Sequence, residues 1–307
     1  MKADFFFTVI VPSYQGEKKI RNLIESLILQ DFNDFELLLV IDGSTDNTFS
    51  VADDLLSKTN LNYSILQKPN SGRGSTRNFG AKCAKGTFLV FFDDDMVLEP
   101  DCLSAFVSFH QQHTNSIAVG RQVENKAWMK TDFQVYKASL SEKWKTRAYN
   151  EEVRYTKDNL HLTAANLSLP KQLFNTLKGF DERLSDVEDF EFGTRAFELG
   201  LPIYYEQKAK AWHNDFITCK SYVLRQRQYN KAYQELFIFR PDLIGKYAQT
   251  IPNKTSILKK MFYLIFSFTF WSKWIDEESF FLKILPTTIR YKLYDVVVWS
   301  QGKTFVQ

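Results

Sequence analysis

Three consecutive aspartates, Asp93, Asp94 and Asp95, follow the apolar run Thr87–Phe92 and constrain the fold more than any other feature of the sequence. Such a run is typical of a strand that is buried on both faces, and the aspartates then lie at its carboxyl end. Because adjacent carboxylates repel one another and are costly to desolvate, folding alone does not favour them there. In an extended segment Asp93 and Asp95 point to the same side, where both can bind one divalent cation, Mg2+ or Mn2+. The alternative is an acidic loop that caps the helix expected after Pro100.

Strands and helices alternate through the first two-thirds of the chain. Apolar runs and amphipathic stripes predict strands at Phe5–Val11, Phe35–Ile41, Leu61–Leu66, Thr87–Phe92, Ile117–Val123 and Leu201–Tyr205, and helices at Glu17–Gln30, Asp46–Lys58, Ser75–Lys85 and Val187–Leu199. Repeated strand–helix units predict an α/β fold with a parallel, doubly wound sheet that binds ligands at the carboxyl ends of its strands. We interpret the weakly periodic stretch Glu124–Asp158 as a variable helix or lid.

Charge is distributed unevenly along the chain. Residues 207–307 contain 16 Lys and Arg against 7 Asp and Glu, a net charge of +9, whereas residues 1–206 have a net charge of −6. This difference, together with the helical pattern after His213, predicts an α/β domain over residues 1–215 and a basic, aromatic-rich helical region over residues 216–307. The three cysteines are too few for a disulfide framework, and no signal-peptide pattern is present, so we expect a cytoplasmic protein.

Polar residues follow the first two predicted strands. Pro12 and Tyr14 follow the first strand, and Asp42–Asp46 follows the second. A carboxylate at a strand end can accept hydrogen bonds from a base or ribose, and an adjacent tyrosine can stack on the base. The alternative is that Ser44 or Thr45 caps the next helix.

A glycine-rich turn, Asn70–Asn78, begins the third predicted helix. Helix N-termini attract anions, and Arg77 can pair with phosphate oxygens through two parallel hydrogen bonds. The turn is neither a Walker A loop nor a dinucleotide fingerprint, and a flexible connector is the alternative.

Two further segments carry groups that are capable of catalysis. Glu188 and Asp189 lie between aromatic residues at a predicted helix start, where a carboxylate with an apolar flank gains basicity and can remove a hydroxyl proton. The alternative is stabilisation of the helix dipole. His213 is a lone histidine that could add a ligand to a cation held by two aspartates.

Together these segments resemble family 2 glycosyltransferases, the inverting enzymes of the GT-A fold. The matching segments are Thr8–Tyr14, Val40–Asp46, Arg77–Gly80, Phe92–Asp95, Gly179–Glu182 and Glu188–Asp189. Each segment alone is unspecific, but the set occurs in the family's order over residues 5–215. The resemblance therefore implies a GT-A catalytic domain with a mixed sheet, followed by a C-terminal helical extension.

The resemblance also implies roles for single residues. Pro12, Tyr14, Asp42, Arg77 and Asp94 would bind the nucleotide of a sugar donor, usually a UDP-sugar; Asp93 and Asp95, with His213, would bind Mn2+ or Mg2+; and Asp189 would deprotonate the acceptor hydroxyl. Processive members carry a Gln-x-x-Arg-Trp motif, but the comparable stretch Arg225–Tyr229 lacks the tryptophan. We therefore expect transfer of a single sugar to a glycan or a lipid-linked acceptor.

Two other functions are compatible with the same sequence. A sugar nucleotidyltransferase would share the sheet and the acidic metal site, but it would release pyrophosphate and would leave Glu188-Asp189 without a purpose. A non-catalytic scaffold that binds nucleotide sugars would not need Asp189. Nucleic-acid binding, which the basic C-terminal region could suggest, is the least favoured function because no recognition motif accompanies the charge, and we expect no nucleic-acid partner.

The apolar segment Met261–Trp271 is too short to span a bilayer. Its aromatic residues and the neighbouring lysines are typical of a helix that lies in the membrane interface, so we expect a peripheral contact with the inner face of the cell membrane. Packing on the catalytic domain or on a second subunit would produce the same pattern, and the sequence does not predict the oligomeric state.

Overall fold

The computed structural model describes residues 5–145, 153–247, 250 and 257–303. The chain divides into two compact units: the first comprises Met1–Glu124 and Thr146–Asn214, and the second comprises Asn125–Lys145 and Asp215–Gln307. This division differs from the predicted one because it groups Asn125–Lys145 with the C-terminal region. That residues 1–215 form the catalytic domain stays a prediction.

The nine described strands all belong to the first unit. They are β1 (Phe5–Ser13), β2 (Phe35–Asp42), β3 (Asn62–Lys68), β4 (Gly86–Phe92), β5 (Met96–Leu98), β6 (Ile117–Val123), β7 (Val153–Arg154), β8 (Asn166–Pro170) and β9 (Ile203–His213).

The described helices are α1 (Ile20–Ile28), α2 (Thr48–Leu56), α3 (Arg73–Cys83), α4 (Cys102–Gln112), α5 (Asp132–Lys145), α6 (Lys171–Thr176), α7 (Glu188–Glu198), α8 (Cys219–Phe239), α9 (Ile257–Ile265), α10 (Thr269–Asp276), α11 (Phe280–Ile284) and α12 (Thr287–Lys303). The predicted helices in the first two-thirds are confirmed as α1, α2, α3 and α7. α1, α2 and α7 are two to five residues shorter than expected because their terminal turns lie outside the helix, whereas α3 has the expected length but begins and ends two residues earlier. The segment Glu124–Asp158, which we interpret from the sequence as a variable helix or lid, contains α5 and β7. Its residues 146–152 lie outside the described part of the chain.

The sheet has the order β3-β2-β1-β4-β8-β6-β9-β5, with β7 paired to β9. The strands from β3 to β4 are parallel, whereas β8 is antiparallel to β4. The sheet is therefore mixed, and β1, β2 and β4 end at one edge. This edge is where the sequence places its candidate ligands.

The core explains why these segments form strands and helices. Every residue of β2, Phe35–Asp42, is buried, as expected for a central strand covered on both faces. On α1 the buried residues Ile20, Leu23, Ile24 and Leu27 form the apolar stripe of an amphipathic helix. Gly80 of α3 allows the close approach of that helix to β1, because a Cβ atom there would lie 2.6 Å from Ile10 Cγ2.

The second unit has its own apolar core. Its buried residues come from α5, α8, α10, α11 and α12 and from the loop before α8: Phe133, Tyr136, Ile217, Cys219, Val223, Ile275, Leu282, Tyr294 and Val297. Arg290 of α12 donates to both carboxylate oxygens of Asp132 on α5, at 2.6 and 2.8 Å. In the described chain, no helix combines the length and the apolar character that crossing a membrane requires.

Candidate active site

The acidic triplet forms a turn at the end of β4. The amide of Met96 donates to the Asp93 carbonyl at 3.2 Å, and residues 94 and 95 lie within the turn. The expectation that Asp93 and Asp95 point to the same side of an extended segment is therefore wrong. The reason is that β5 begins at Met96 and, by the strand pairings, runs opposite to β4, so the chain turns between the two strands.

Each aspartate of the triplet faces a different partner. Asp93 Oδ1 accepts a hydrogen bond from Arg77 Nη2 at 2.6 Å, and Asp94 Oδ2 accepts one from Ser13 Oγ at 2.6 Å. Asp95 Oδ1 lies 3.4 Å from His213 Nε2. The triplet thus connects the end of β1, helix α3 and the end of β9.

Burial changes the protonation of Asp94, whose exposed fraction is 8%. Desolvation raises the pKa of Asp94 to about 7, the charges of Asp95 and Asp93 add to the rise, and Lys19 and Ser13 oppose it. Asp94 therefore binds a proton more readily in the folded protein than a solvent-exposed aspartate does.

Strand pairing brings His213 to the triplet. β9 continues to His213, well past the predicted end at Tyr205, and pairs antiparallel with β5, where His213 lies opposite Met96. The second ring nitrogen, Nδ1, is 3.9 Å from Glu124 Oε1, which is too long for a hydrogen bond but within the range of an ion pair.

The donor set of Asp95 and His213 fits a divalent cation. Their ligand atoms lie within 4.8 Å of one another, and carboxylate oxygen with imidazole nitrogen is a combination that suits Mn2+. Asp93 is directed to Arg77, so its predicted role as a ligand stays a prediction.

Three of the five predicted nucleotide-binding residues, Pro12, Tyr14 and Asp42, lie at the ends of β1 and β2, whereas Arg77 lies on α3 and Asp94 follows β4. Asp42 is buried and accepts hydrogen bonds from Lys68 Nζ at 2.6 Å and from the amides of Ser71 and Gly72 at 3.0 and 2.9 Å. Asp42 thereby fixes the glycine-rich turn before α3. Tyr14 is 55% exposed, which leaves its ring accessible for stacking.

The loops after β1 and β2 are joined by Gln15. The backbone amide of Gln15 donates a hydrogen bond to Ser44 Oγ at 3.0 Å, and the side-chain oxygen of Gln15 accepts one from the backbone amide of Thr45 at 3.0 Å. The alternative that Ser44 or Thr45 caps the next helix is wrong, because α2 begins at Thr48 after Asn47. Pro12 is paired with Val40 in β2, so its position is fixed by the strand register.

Arg77 is almost fully buried, with an exposed fraction of 2%. Besides Asp93, its guanidinium binds Glu188, whose Oε1 accepts from Nη1 at 2.5 Å. The side chain therefore joins two carboxylates, an arrangement that differs from the expected pairing with phosphate. Glu188 is 1% exposed, and its Oε2 has no hydrogen-bond partner among the described residues.

Asp189 lies in the first turn of α7, where the helix dipole favours negative charge. Val187, the residue before the helix, has a φ of 58°, a left-handed conformation that costs a β-branched residue about 1–3 kcal/mol. Burial raises the pKa of Asp189 to about 7, the Glu188 carboxylate adds to the rise, and Arg77 opposes it. A carboxylate with this pKa is suited to general base catalysis near neutral pH.

Four side chains of the site were not predicted from the sequence: Ser13, Lys19, Lys68 and Glu124. Lys19 lies 3.5 Å from Asp95 Oδ2 and 3.9 Å from Asp94 Oδ1, so it offsets part of the negative charge. Nothing in the sequence marks Lys19 among the many lysines. Lys68 could have been inferred from the parallel register that places it opposite Asp42.

Residues 8–174 match the family model described as Glycosyl transferase family 2, which covers more than half of the chain. The chain belongs to this family. The prediction made from the acidic triplet and its companion segments is therefore confirmed.

The family relatives share part of their length with this chain. The poly(ribitol-phosphate) beta-N-acetylglucosaminyltransferase TarS of Staphylococcus aureus is 29% identical over 62% of this chain and 32% of that protein. The uncharacterized glycosyltransferase EpsJ of Bacillus subtilis is 38% identical over 29% of this chain and 25% of that protein. The matched part of the chain thus corresponds to about a third or less of the length of each of these two relatives.

Solved structures confirm the GT-A fold. A crystallised fragment of S. aureus TarS in complex with UDP has a TM-score of 0.56 and 21% identity over 97% of this chain and 90% of that chain. The mannosyltransferase PcManGT of Pyrobaculum calidifontis, in complex with GDP-Man and Mn2+, has a TM-score of 0.59 and 15% identity over 97% of this chain and 76% of that chain.

The raised pKa of Asp94 makes folding stability depend on pH. A carboxyl group whose pKa rises from 3.8 unfolded to about 7 folded binds a proton more tightly in the native state, so stability falls as the pH increases through this window. In EDTA at about pH 8, we expect Asp94→Asn to be more stable than the wild type, by at most about 4 kcal/mol, with the difference shrinking towards pH 4. Urea unfolding between pH 4 and pH 8 measures this difference in the free energy of unfolding. A difference that stays the same at every pH would contradict the prediction.

Proposed function

We propose that the protein is a metal-dependent inverting glycosyltransferase that transfers a single sugar from a nucleotide-sugar donor to an acceptor hydroxyl. The observation that carries the proposal is Asp189, a carboxylate of a family 2 glycosyltransferase whose pKa is raised to about 7 by burial. Such a group accepts a proton at neutral pH, which a scaffold protein does not need.

The donor is proposed to be a UDP-sugar that binds along the ends of β1 and β2. Tyr14 would stack on the base, and Asp42, held by Lys68 and by the turn before α3, would accept a hydrogen bond from it. Pro12 would line the base pocket, and Asp94 would lie near the diphosphate. The complexes of TarS with UDP and with UDP-GlcNAc support UDP as the nucleotide.

The transfer step is proposed to be one in-line displacement. Asp189 takes the proton of the acceptor hydroxyl, and the oxygen attacks the anomeric carbon from the face opposite the nucleotide. The bond from that carbon to the diphosphate oxygen breaks, so the nucleoside diphosphate leaves and the configuration inverts. Because Asp189 starts the step as a carboxylate, its activity requires a pH above its own pKa.

Asp95 and His213 would hold a divalent cation, Mn2+ or Mg2+, with Asp93 as a further predicted ligand. When bound, the cation neutralises negative charge that develops on the departing diphosphate. The Mn2+ complexes of the mannosyltransferase PcManGT and of GalNAc-T7 support a cation in this fold. Glu124 faces the other ring nitrogen of His213 and would orient the ring.

The acceptor is proposed to be a glycan or a lipid-linked saccharide in the synthesis of a cell-surface polysaccharide or glycoconjugate. The relatives support this pathway, because TarS is named for poly(ribitol-phosphate) and GgaB of B. subtilis for minor teichoic acid biosynthesis. Transfer of one sugar fits the absence of tryptophan from Arg225–Tyr229.

The second unit is proposed to contact the inner face of the cell membrane, which would give a cytoplasmic enzyme access to a lipid-linked acceptor. Large apolar side chains of α9, α10 and α11 and the adjoining loop are exposed: Met261, Phe262, Leu264, Ile265, Phe268, Phe270, Phe281 and Ile284. Residues 207–307 have a net charge of +9, which favours an anionic lipid surface.

Asp189→Asn tests the base. We expect turnover to fall by about 10²–10⁴-fold while UDP still binds, because the amide cannot accept the proton. In the wild type, kcat/KM should rise with pH and level off above about pH 7, as Asp189 loses its proton. UDP release from a panel of nucleotide sugars measures both, with the exposed Asp53→Asn on α2 as the control. An active Asp189→Asn variant would contradict the proposal, and pyrophosphate release would favour a nucleotidyltransferase.

Asp95→Asn and His213→Gln test the metal site. Each removes one ligand, so we expect Mn2+ affinity in the presence of UDP to fall at least about tenfold. Calorimetric titration measures this, with the exposed Asp101→Asn as the control. Unchanged Mn2+ affinity in both variants would place the cation elsewhere.

Vesicle sedimentation tests the membrane contact. We expect the protein to sediment with vesicles that contain anionic phosphatidylglycerol, and Phe268→Ser/Phe270→Ser to reduce the bound fraction, because both rings are exposed. Phe49→Ser, at an exposed position in the first unit, should bind as the wild type does. A wild type that stays in the supernatant and forms a dimer instead would contradict the proposal.

A further inference from the structure

We propose that Arg77 is a positioning residue for the base: its guanidinium holds Glu188 at the start of α7 against Asp93 at the end of β4, and thereby fixes Asp189 relative to the acidic turn. This inference rests on the proposed function. It assigns Arg77 a task that differs from binding the donor phosphate.

The hydrogen bonds of Arg77 are divided between two carboxylates. Nη1 donates to Glu188 Oε1 at 2.5 Å, and Nη2 donates to Asp93 Oδ1 at 2.6 Å. Because the guanidinium is planar and rigid, these two bonds set the distance and the angle between the two acidic segments. A lysine, whose charge is a single point on a flexible stem, would not fix the angle between the two segments in this way.

The surroundings of Arg77 keep its guanidinium in place. The next residue on α3, Asn78, accepts a hydrogen bond from the amide of Phe180 and donates one to its carbonyl, both at 2.9 Å. The Phe180 ring centre lies 5.7 Å from the guanidinium carbon. Helix α3 is therefore tied to the loop that precedes α7, so the position of Arg77 follows from the packing of both helices.

The charges around Asp189 give this contact a chemical consequence. Glu188 and Asp186 are the acidic neighbours that favour protonation of Asp189, whereas Arg77 favours the carboxylate, and the amide of Phe190 also donates to it. Loss of Arg77 would leave the Glu188 charge buried and uncompensated beside the base, which favours the protonated form of Asp189. Loss of Glu188 would instead favour the carboxylate form of Asp189.

The same geometry argues against direct phosphate binding by Arg77. The side chain is 2% exposed, and both terminal nitrogens already donate to carboxylates. A phosphate would have to displace one of these carboxylates from a buried cation, which is unfavourable unless another charge replaces it.

Arg77→Gln, Glu188→Gln and the double variant test the proposal through the pH dependence of kcat/KM. We expect Arg77→Gln to lower kcat by about 10²-fold, the scale of a misplaced catalytic group, and to move the acid limb of the profile to higher pH. Glu188→Gln should move the acid limb to lower pH. The double variant should return the acid limb towards its wild-type position, since no unpaired Glu188 charge remains, but its kcat should stay low because no contact then holds the start of α7 against the end of β4. Arg21→Gln, at an exposed ion pair on α1, is the matched control.

A phosphate-binding role predicts a different result. Arg77→Gln would then weaken UDP binding and raise the donor KM without moving the acid limb, and the acid limb of the double variant would coincide with that of Glu188→Gln; this result would overturn the proposal. If Arg77→Gln does not fold by circular dichroism, Glu188→Gln decides, and an acid limb at its wild-type position overturns the proposal. Failure of the proposed function is distinct, because it would appear as an active Asp189→Asn variant.

Discussion

One buried guanidinium links the acidic segments of the first unit. Arg77 joins Asp93, at the carboxyl end of β4, to Glu188, at the start of α7. Without a cation at this point, the buried Glu188 carboxylate would lie near Asp93 with no positive charge to compensate it. The placement of the candidate base beside the acidic turn depends on this contact, since Asp189 follows Glu188 on the same helical turn.

The site concentrates negative charge at the edge where the parallel strands end. Burial raises the pKa of both Asp94 and Asp189 to about 7, although Lys19 and Arg77 act against the rise. A protein that evolved for stability alone would replace such groups, because buried like charges oppose folding. The charge is useful where a divalent cation and an incoming hydroxyl proton are to be bound, which is the chemistry of the proposed transfer.

Much of the fold follows from local pattern, but several features of the site do not. The apolar run of β2 and the stripe of α1 predicted their elements because burial dictates both. Strand β9 was predicted too short, since only its first residues are apolar, although Ala209 and Ala211 continue the buried face. The turn of the acidic triplet and the partners of Arg77 depend on contacts between distant segments, which no local pattern encodes.

The stereochemistry of donor hydrolysis tests the central claim, an in-line displacement assisted by one carboxylate, most directly. Water can replace the unknown acceptor hydroxyl, so the slow hydrolysis of a UDP-α-sugar can be followed by proton NMR before the released sugar equilibrates. Direct displacement predicts that the β-anomer appears first. Initial release of the α-anomer would show retention and would contradict the account.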